Sequence, residues 1–259
     1  MKIATLASGS SGNSTLITGG ETSLLVDAGL SGKGIEQRLA EIGVEPKALS
    51  GILVTHEHRD HTQGVGVLAR RHKLPVYVLE DCLPVLEVGI LPKVEELEIG
   101  AKFELGDLKL ELFQTFHDSA ASTGLVCSQG DTKVGFATDT GQVSGEMVRK
   151  LKGCSGVVFE ANHDEDMLWK GSYPYYLKRR IAASTGHLSN KDAGEALAEI
   201  IDSRTKRLVL AHLSEENNEP GLAIKTVADI LVELGVPEVA PGLKMRAAPR
   251  HTPLALGEL

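Results

Sequence analysis

The sequence predicts an α/β fold: two mixed β-sheets packed face to face, with helices on both outer sides. Two observations carry this. Apolar runs of strand length and runs of helical period follow in the order strand, strand, helix, strand, helix, and that order occurs twice along 259 residues. No repeat, low-complexity tract or linker-like run interrupts the chain, so residues 1–259 read as one domain. A doubly wound parallel sheet is the alternative, but it would alternate strand and helix more regularly.

Each element has its own signal. Short β-rich runs at Lys2–Leu6, Ser14–Thr18 and Thr22–Asp27 open the chain, and the Gly-Ser-Asn-rich turn Ala7–Asn13 joins the first two. Ser31–Ile42 is a helix with Ile35, Leu39 and Ile42 on one stripe and Gly43 as its stop. A strand at Ile52–Thr55, a helix over Gln63–His72 and a strand at Pro75–Leu79 follow. Strands Lys102–Leu105, Leu108–Thr115, Ser122–Ser128 and Thr132–Ala137 come next, with Gly106-Asp107 and Gly130-Asp131 as turn pairs. A helix at Ser144–Leu151 leads into the strand Gly156–Phe159. Helices Tyr175–Ala182 and Asn190–Ser203, strand Arg207–Ala211 and helix Ala223–Leu234 complete the pattern, with Gly235 and Pro237 ending the last helix.

Composition excludes several classes. No run of about 18 apolar residues exists, so no membrane span is expected. The first residues lack the apolar core of a signal peptide. The three cysteines, Cys82, Cys127 and Cys154, form no C-x-x-C pair, which suits a reducing cytoplasm and opposes a disulfide framework or a thiolate zinc site. A formal charge of −8 argues against a broad nucleic-acid footprint, but not against an enzyme gripping a few phosphates beside its own metals.

The chemical signal is the run Thr55-His56-Glu57-His58-Arg59-Asp60-His61 after Gly51-Ile52-Leu53-Val54. A strand cannot aim His56, His58, Asp60 and His61 at one point, because alternate residues face opposite ways; a loop leaving its carboxyl end can. Their H-x-H-x-D-H spacing suits two adjacent metals better than one. Imidazole and carboxylate donors suit zinc or manganese, with iron a third option. Three distant residues each close an apolar strand: His117, Asp139 and His212. Singly each reads as turn chemistry; together with the loop they gather at strand carboxyl ends, where loop-borne sites are built. Asp27, closing Leu24–Asp27, is the candidate carboxylate for fixing an imidazole's tautomer.

This set, Thr55–His61 followed by His117, Asp139 and His212, resembles the metallo-β-lactamase superfamily. More narrowly, Leu6–Asn13, Leu68–Arg71, Phe159–Asp164, Gly186–Asn190 and Ala211–Asn218 resemble the YycJ (WalJ) group of bacterial metallohydrolases. The resemblance implies a four-layer αββα sandwich with a dinuclear centre in the cleft between the sheets, and a 5′-to-3′ exonuclease activity on DNA. It further implies that His56, His58 and His117 hold one metal, that Asp60, His61 and His212 hold the other, and that Asp139 bridges them. Open positions would then remain for a bridging hydroxide and a substrate oxygen. In the same likeness His187, in Gly-His-Leu-Ser, is a catalytic non-ligand histidine near the scissile phosphate, able to protonate the leaving oxygen. Asp60 is placed with it in the catalytic set.

Other residues are candidates for holding substrate. Lys178, Arg179 and Arg180 follow the aromatic cluster Tyr173-Pro174-Tyr175-Tyr176, a combination that can stack a base and neutralise phosphate. A helix with one charged face is the alternative. Ser10 and Asn13 offer donors that could cradle a terminal phosphate, or serve only the turn. His163 reads equally as a substrate contact or as a residue orienting its loop. The functional expectation is a phosphodiesterase using two divalent metals, with DNA or another phosphodiester as its partner. A hydrolase of a small cyclic phosphodiester or lactone is the alternative. The sequence carries no reading of oligomeric state.

Overall fold

The computed structural model describes residues 1–236 and 240–259; Pro237, read above as a helix stop, lies outside the described residues. The elements in chain order are β1 (Lys2–Ala7), β2 (Ser14–Gly19), β3 (Thr22–Val26), α1 (Gly32–Glu41), β4 (Gly51–Leu53), α2 (Arg59–Thr62), α3 (Val65–His72), β5 (Val76–Leu79), β6 (Val94–Leu97), β7 (Lys102–Leu105), β8 (Leu108–Gln114), β9 (Thr123–Gln129) and β10 (Thr132–Ala137). There follow α4 (Gly145–Leu151), β11 (Gly156–Glu160), α5 (Glu165–Lys170), α6 (Tyr175–Ile181), α7 (Asn190–Ile200), β12 (Arg207–Ala211), α8 (Pro220–Glu233), β13 (Lys244–Ala247) and β14 (Leu254–Glu258).

Among the described residues the strands form two mixed seven-stranded sheets, ordered β14-β1-β2-β3-β4-β5-β6 and β13-β12-β11-β10-β9-β8-β7. In the first, β1–β3 is an antiparallel meander, and β3, β4, β5 and β6 run parallel to one another. In the second, β10, β11, β12 and β13 are parallel and β9 is antiparallel to β10. Parallel neighbours end on the same edge, so the loops leaving β3 and β4 start side by side, as do those leaving β10, β11 and β12.

The chain divides into two compact units, interleaved in sequence. One comprises Met1–Leu112, Ser119–Thr123 and Pro249–Glu258; the other comprises Phe113–Asp118, Gly124–Ala248 and Leu259. In the second unit α4, α7 and α8 bury Met147, Leu151, Leu197, Ile200 and Val227 in one cluster with Phe113 and Phe159. In the first, Leu24, Leu25, Ile35, Leu39, Ile52, Leu53 and Leu68 are fully buried. Ile35 and Leu39 of the expected stripe are therefore the core face of the first helix, while Ile42 is its half-buried C-cap, and Ser31 caps the other end by accepting from Gly34 N.

The structure departs from expectation in three ways. The helix expected over Gln63–His72 is α3, which starts at Val65 after Gly64, where a Cβ would lie 2.4 Å from Leu30 O; a short helix that was not expected, α2, precedes it. Asp60 and His61 accordingly sit on the short helix α2, not on an open loop, with His58 as its N-cap. The sequence also gave no warning of α5, β6, β13 and β14, four short elements of four to six residues.

Candidate metal centre

In the first unit the chain leaves β4 and delivers His56, His58, Asp60 and His61 within six residues. The His56 ring centroid is 4.7 Å from that of His58 and 4.1 Å from that of His61. Asp27 follows β3 with φ 60°, left-handed backbone that lets a residue turn off a strand at once and that Asp tolerates better than most. Its carboxylate is fully buried and accepts from Thr55 N (2.8 Å), Thr55 Oγ1 (2.8 Å) and the His61 Nδ1 (2.7 Å). Burial pushes the Asp27 carboxyl up from its usual range, while His61 and Thr55 oppose that shift. With Nδ1–H given to Asp27, His61 presents the Nε2 lone pair as its donor, which is how a metal-ligating imidazole is oriented.

Glu57, in the middle of the run, takes a different job. Its carboxylate accepts from Ala120 N at 2.7 Å and pins the segment Ser119–Thr123.

In the second unit Asp139 follows β10 and His212 follows β12, with φ 58° and 57° respectively, the same left-handed turn as at Asp27. Between their strands lies β11, whose last residue, Glu160, was not singled out from the sequence. It is fully buried. Its Oε1 accepts from His187 Nδ1 (2.8 Å), His212 Nδ1 (2.9 Å) and Asp139 N (3.3 Å). Its Oε2 accepts from Thr140 N (3.0 Å) and Leu188 N (3.2 Å). Burial alone would raise this carboxyl, but His187 and His212 reverse that and hold it far below the usual carboxylate range. Asp139, Glu160, His187 and His212 bring potential ligand atoms within 4.8 Å of one another. His117 offers Nδ1 to Gly186 O at 3.2 Å, and its Nε2 lies 3.9 Å from Asp139 Oδ1. The only sequence sign of Glu160 was its place at the end of an apolar strand beside Ala161-Asn162-His163-Asp164.

The donor set fits divalent metals. His61, His117 and His212 each have Nδ1 against an acceptor, which leaves Nε2 as the ligand atom. Asp60 Oδ2 and His61 Nε2 are 3.5 Å apart. Two ligands of a tetrahedral zinc with bonds of about 2.1 Å would be about 3.4 Å apart.

The candidate substrate contacts fare unevenly. Lys178 is buried, and its ammonium donates to Trp169 O (2.9 Å) and Gly171 O (2.7 Å), satisfying the carbonyl end of α5. It caps a helix here, and its ammonium is turned away from the exposed surface. Arg180 is ion-paired with Asp118, next to His117. Arg179 is exposed, as are Tyr175 and Tyr176, and the Tyr175 ring lies 6.3 Å from that of Trp169. Ser10 is exposed, whereas Asn13 is buried with its amide engaged inside the unit. His163 is 3% exposed, its backbone oxygen accepts from Asn190 N, and it bridges to Ser189, contacts that serve the loop-orienting reading. Burial pushes its imidazole down to about 4.

The fold agrees with the comparisons. A family model described as "Beta-lactamase superfamily domain" matches residues 22–213, so the chain belongs to the metallo-β-lactamase superfamily of metal-dependent hydrolases. Within it, the chain is a YycJ/WalJ-type protein. It is 42% identical over 239 residues to an exodeoxyribonuclease YycJ of Bacillus anthracis, covering 91% of this chain and 90% of the relative. It is 43% identical over 243 residues to an exodeoxyribonuclease WalJ of Streptococcus pneumoniae, with the same coverage. Among solved structures, the metallo-β-lactamase fold protein YhfI of Bacillus subtilis superposes with a TM-score of 0.70 at 17% identity, over 98% of each chain.

Proposed function

We propose that this enzyme is a two-metal phosphodiesterase that degrades DNA from its ends in the 5′-to-3′ direction. Its relatives at 42% and 43% identity, both named exodeoxyribonucleases, support DNA as the substrate. The observation that carries the chemistry is Glu160, one buried carboxylate that orients both His187 and His212. In this reading His56, His58 and His117 would hold one metal, Asp60, His61 and His212 would hold the other, and Asp139 would serve both. Zinc and manganese suit this donor set, and iron is a third candidate. When bound, the metals supply Lewis acidity that lowers the pKa of the attacking water and offsets phosphate charge.

The remaining steps belong to the chain's own residues. Asp27 and Glu160 keep the ligating imidazoles in the tautomer that presents Nε2. His187 has 18% of its side chain exposed and no place in the ligand sets. With Nδ1 held by Glu160, it offers Nε2 to the leaving oxygen, and the carboxylate balances the charge of a doubly protonated ring. The proton passes from Nε2 to the leaving alkoxide, and solvent restores it. Arg179, Tyr175 and Tyr176 form an exposed surface suited to one phosphate and a stacked base. The buried cysteines, whose thiols burial raises to about 12, suit the reducing cytoplasm as its compartment.

One observation favours the second reading, a hydrolase of small phosphodiesters. Of the three clustered cations, Lys178 is buried and Arg180 is paired, which shortens the basic grip to Arg179. Release of mononucleotides from DNA labelled at its 5′ or 3′ end, with zinc, manganese or magnesium added in turn, tests both. Early loss of a 5′ label supports the exonuclease. Intact DNA alongside turnover of a small phosphodiester replaces it with the small-substrate enzyme.

A further inference from the structure

Asn13 is 5% exposed and lies against two of the proposed ligands of its own unit. Its Oδ1 accepts from Gly9 N at 2.8 Å, and its Nδ2 donates to Gly9 O at 3.1 Å. These two bonds fix which way the amide faces, because a flipped group would set its NH₂ against the Gly9 N–H. The nitrogen therefore points at the ligands: Nδ2 is 3.3 Å from Asp60 Oδ2 and 3.0 Å from His61 Nε2. His61 has already given Nδ1–H to Asp27, so its Nε2 is an acceptor and the amide is the donor.

The backbone makes the same join. Asn13 N donates to Asp60 O at 2.7 Å, and Gly29 N donates to Asn13 O at 2.8 Å. A Cβ at Gly29 would lie 1.6 Å from Asp60 O, so three strands of main chain meet where only glycine allows it. Asp60 is thus tied to Asn13 through both its carbonyl and its carboxylate.

We propose that Asn13 is a positioning residue for the Asp60–His61 pair. Its amide is a neutral stand-in for a cation. It bridges the carboxylate and the imidazole nitrogen and keeps them at the 3.5 Å separation a shared metal requires. With His61 Nε2 given to a metal, Asn13 would release that bond and keep those to Asp60 and Gly9. The role in metal binding rests on the two-metal reading above; the hydrogen bond to His61 does not.

The test uses full-length, metal-free protein and two variants. The first readout is the ¹⁵N resonance of His61 Nε2. Asn13→Ala is expected to shift it, because that nitrogen loses the amide donor 3.0 Å away. Asn13→Asp, which keeps an acceptor for Gly9 N–H but has no amide donor, should do the same. A parent-like signal in either folded variant overturns the proposal. The second readout is Zn²⁺ binding in competition with a chromophoric chelator. In Asn13→Ala the binding step that Asp60→Ala abolishes should weaken by about 10- to 100-fold, with the other step unchanged. Equal affinity, or equal weakening of both steps, overturns it. Fewer than two Zn²⁺ in the parent would instead defeat the two-metal reading, and the His61 signal would still decide the role of Asn13.

Discussion

Glu160 Oε1 lies 2.8 Å from His187 Nδ1, and the glutamate has no solvent exposure. The same oxygen is 2.9 Å from His212 Nδ1, so a proposed metal ligand and a proposed proton donor hang from one anion. Five N–H groups converge on this carboxylate, and a substitution there removes both the charge and two acceptor sites.

Glu160→Gln keeps the shape but turns an NH₂ towards groups that are themselves donors. Leaving them unpaired should cost about 1–3 kcal/mol of stability. Metal affinity or turnover should fall by about 10- to 100-fold. Chemical denaturation and metal competition check this; a variant equal to the parent in both would remove Glu160 from the machinery.

His187→Ala should keep its metals and lose turnover by about 10²- to 10⁴-fold, the usual contribution of a general acid. The deficit should shrink on a nitrophenyl phosphodiester, whose leaving group needs no proton. Paired kcat measurements on DNA and on that ester decide it, and an equal loss on both would make His187 structural.

Elemental analysis of the reconstituted parent should find two divalent metals per chain. Asp60→Ala and His212→Ala should each lose one of them preferentially, and chelation should abolish activity. A parent holding a single metal at saturation would refute the paired ligand sets.

Arg179→Ala combined with Tyr176→Ala should raise KM for DNA and spare a small phosphodiester. Each lost phosphate contact should reduce the log–log salt slope by about 0.7 to 0.9. Lys178→Ala should behave differently, lowering stability because Trp169 O and Gly171 O lose their donor. If the double variant matches the parent on DNA at every salt concentration, this surface does not touch substrate.

His163 gives the fold a pH dependence. Burial takes its imidazole from 6.5 down to about 4, so between those values the unfolded chain binds the proton and the folded one does not. Its contribution is full above pH 6.5 and is lost as the pH falls towards 4, roughly 3–4 kcal/mol in all. Compared by denaturation across that window, the parent should lose more stability on acidification than His163→Gln. Parallel curves would count against a buried neutral ring.

Local order alone made the candidate ligands readable. Four of them lie within six positions, and Asp27, His117, Asp139 and His212 each close an apolar run, a pattern visible without any tertiary contact. The helix stripe Ile35–Leu39 was readable for the same reason, since period and burial are coupled. Glu160 was not, because its partners His187 and His212 are 27 and 52 residues away and meet it only when parallel strands bring their carboxyl ends to one edge. Nor could the sequence tell that, of the adjacent cations Lys178 and Arg179, one is buried under the end of α5 and the other exposed. Charge and spacing are properties of the chain, but which acceptor each donor reaches is set by packing, and packing decided that Asn13 faces Asp60 and His61.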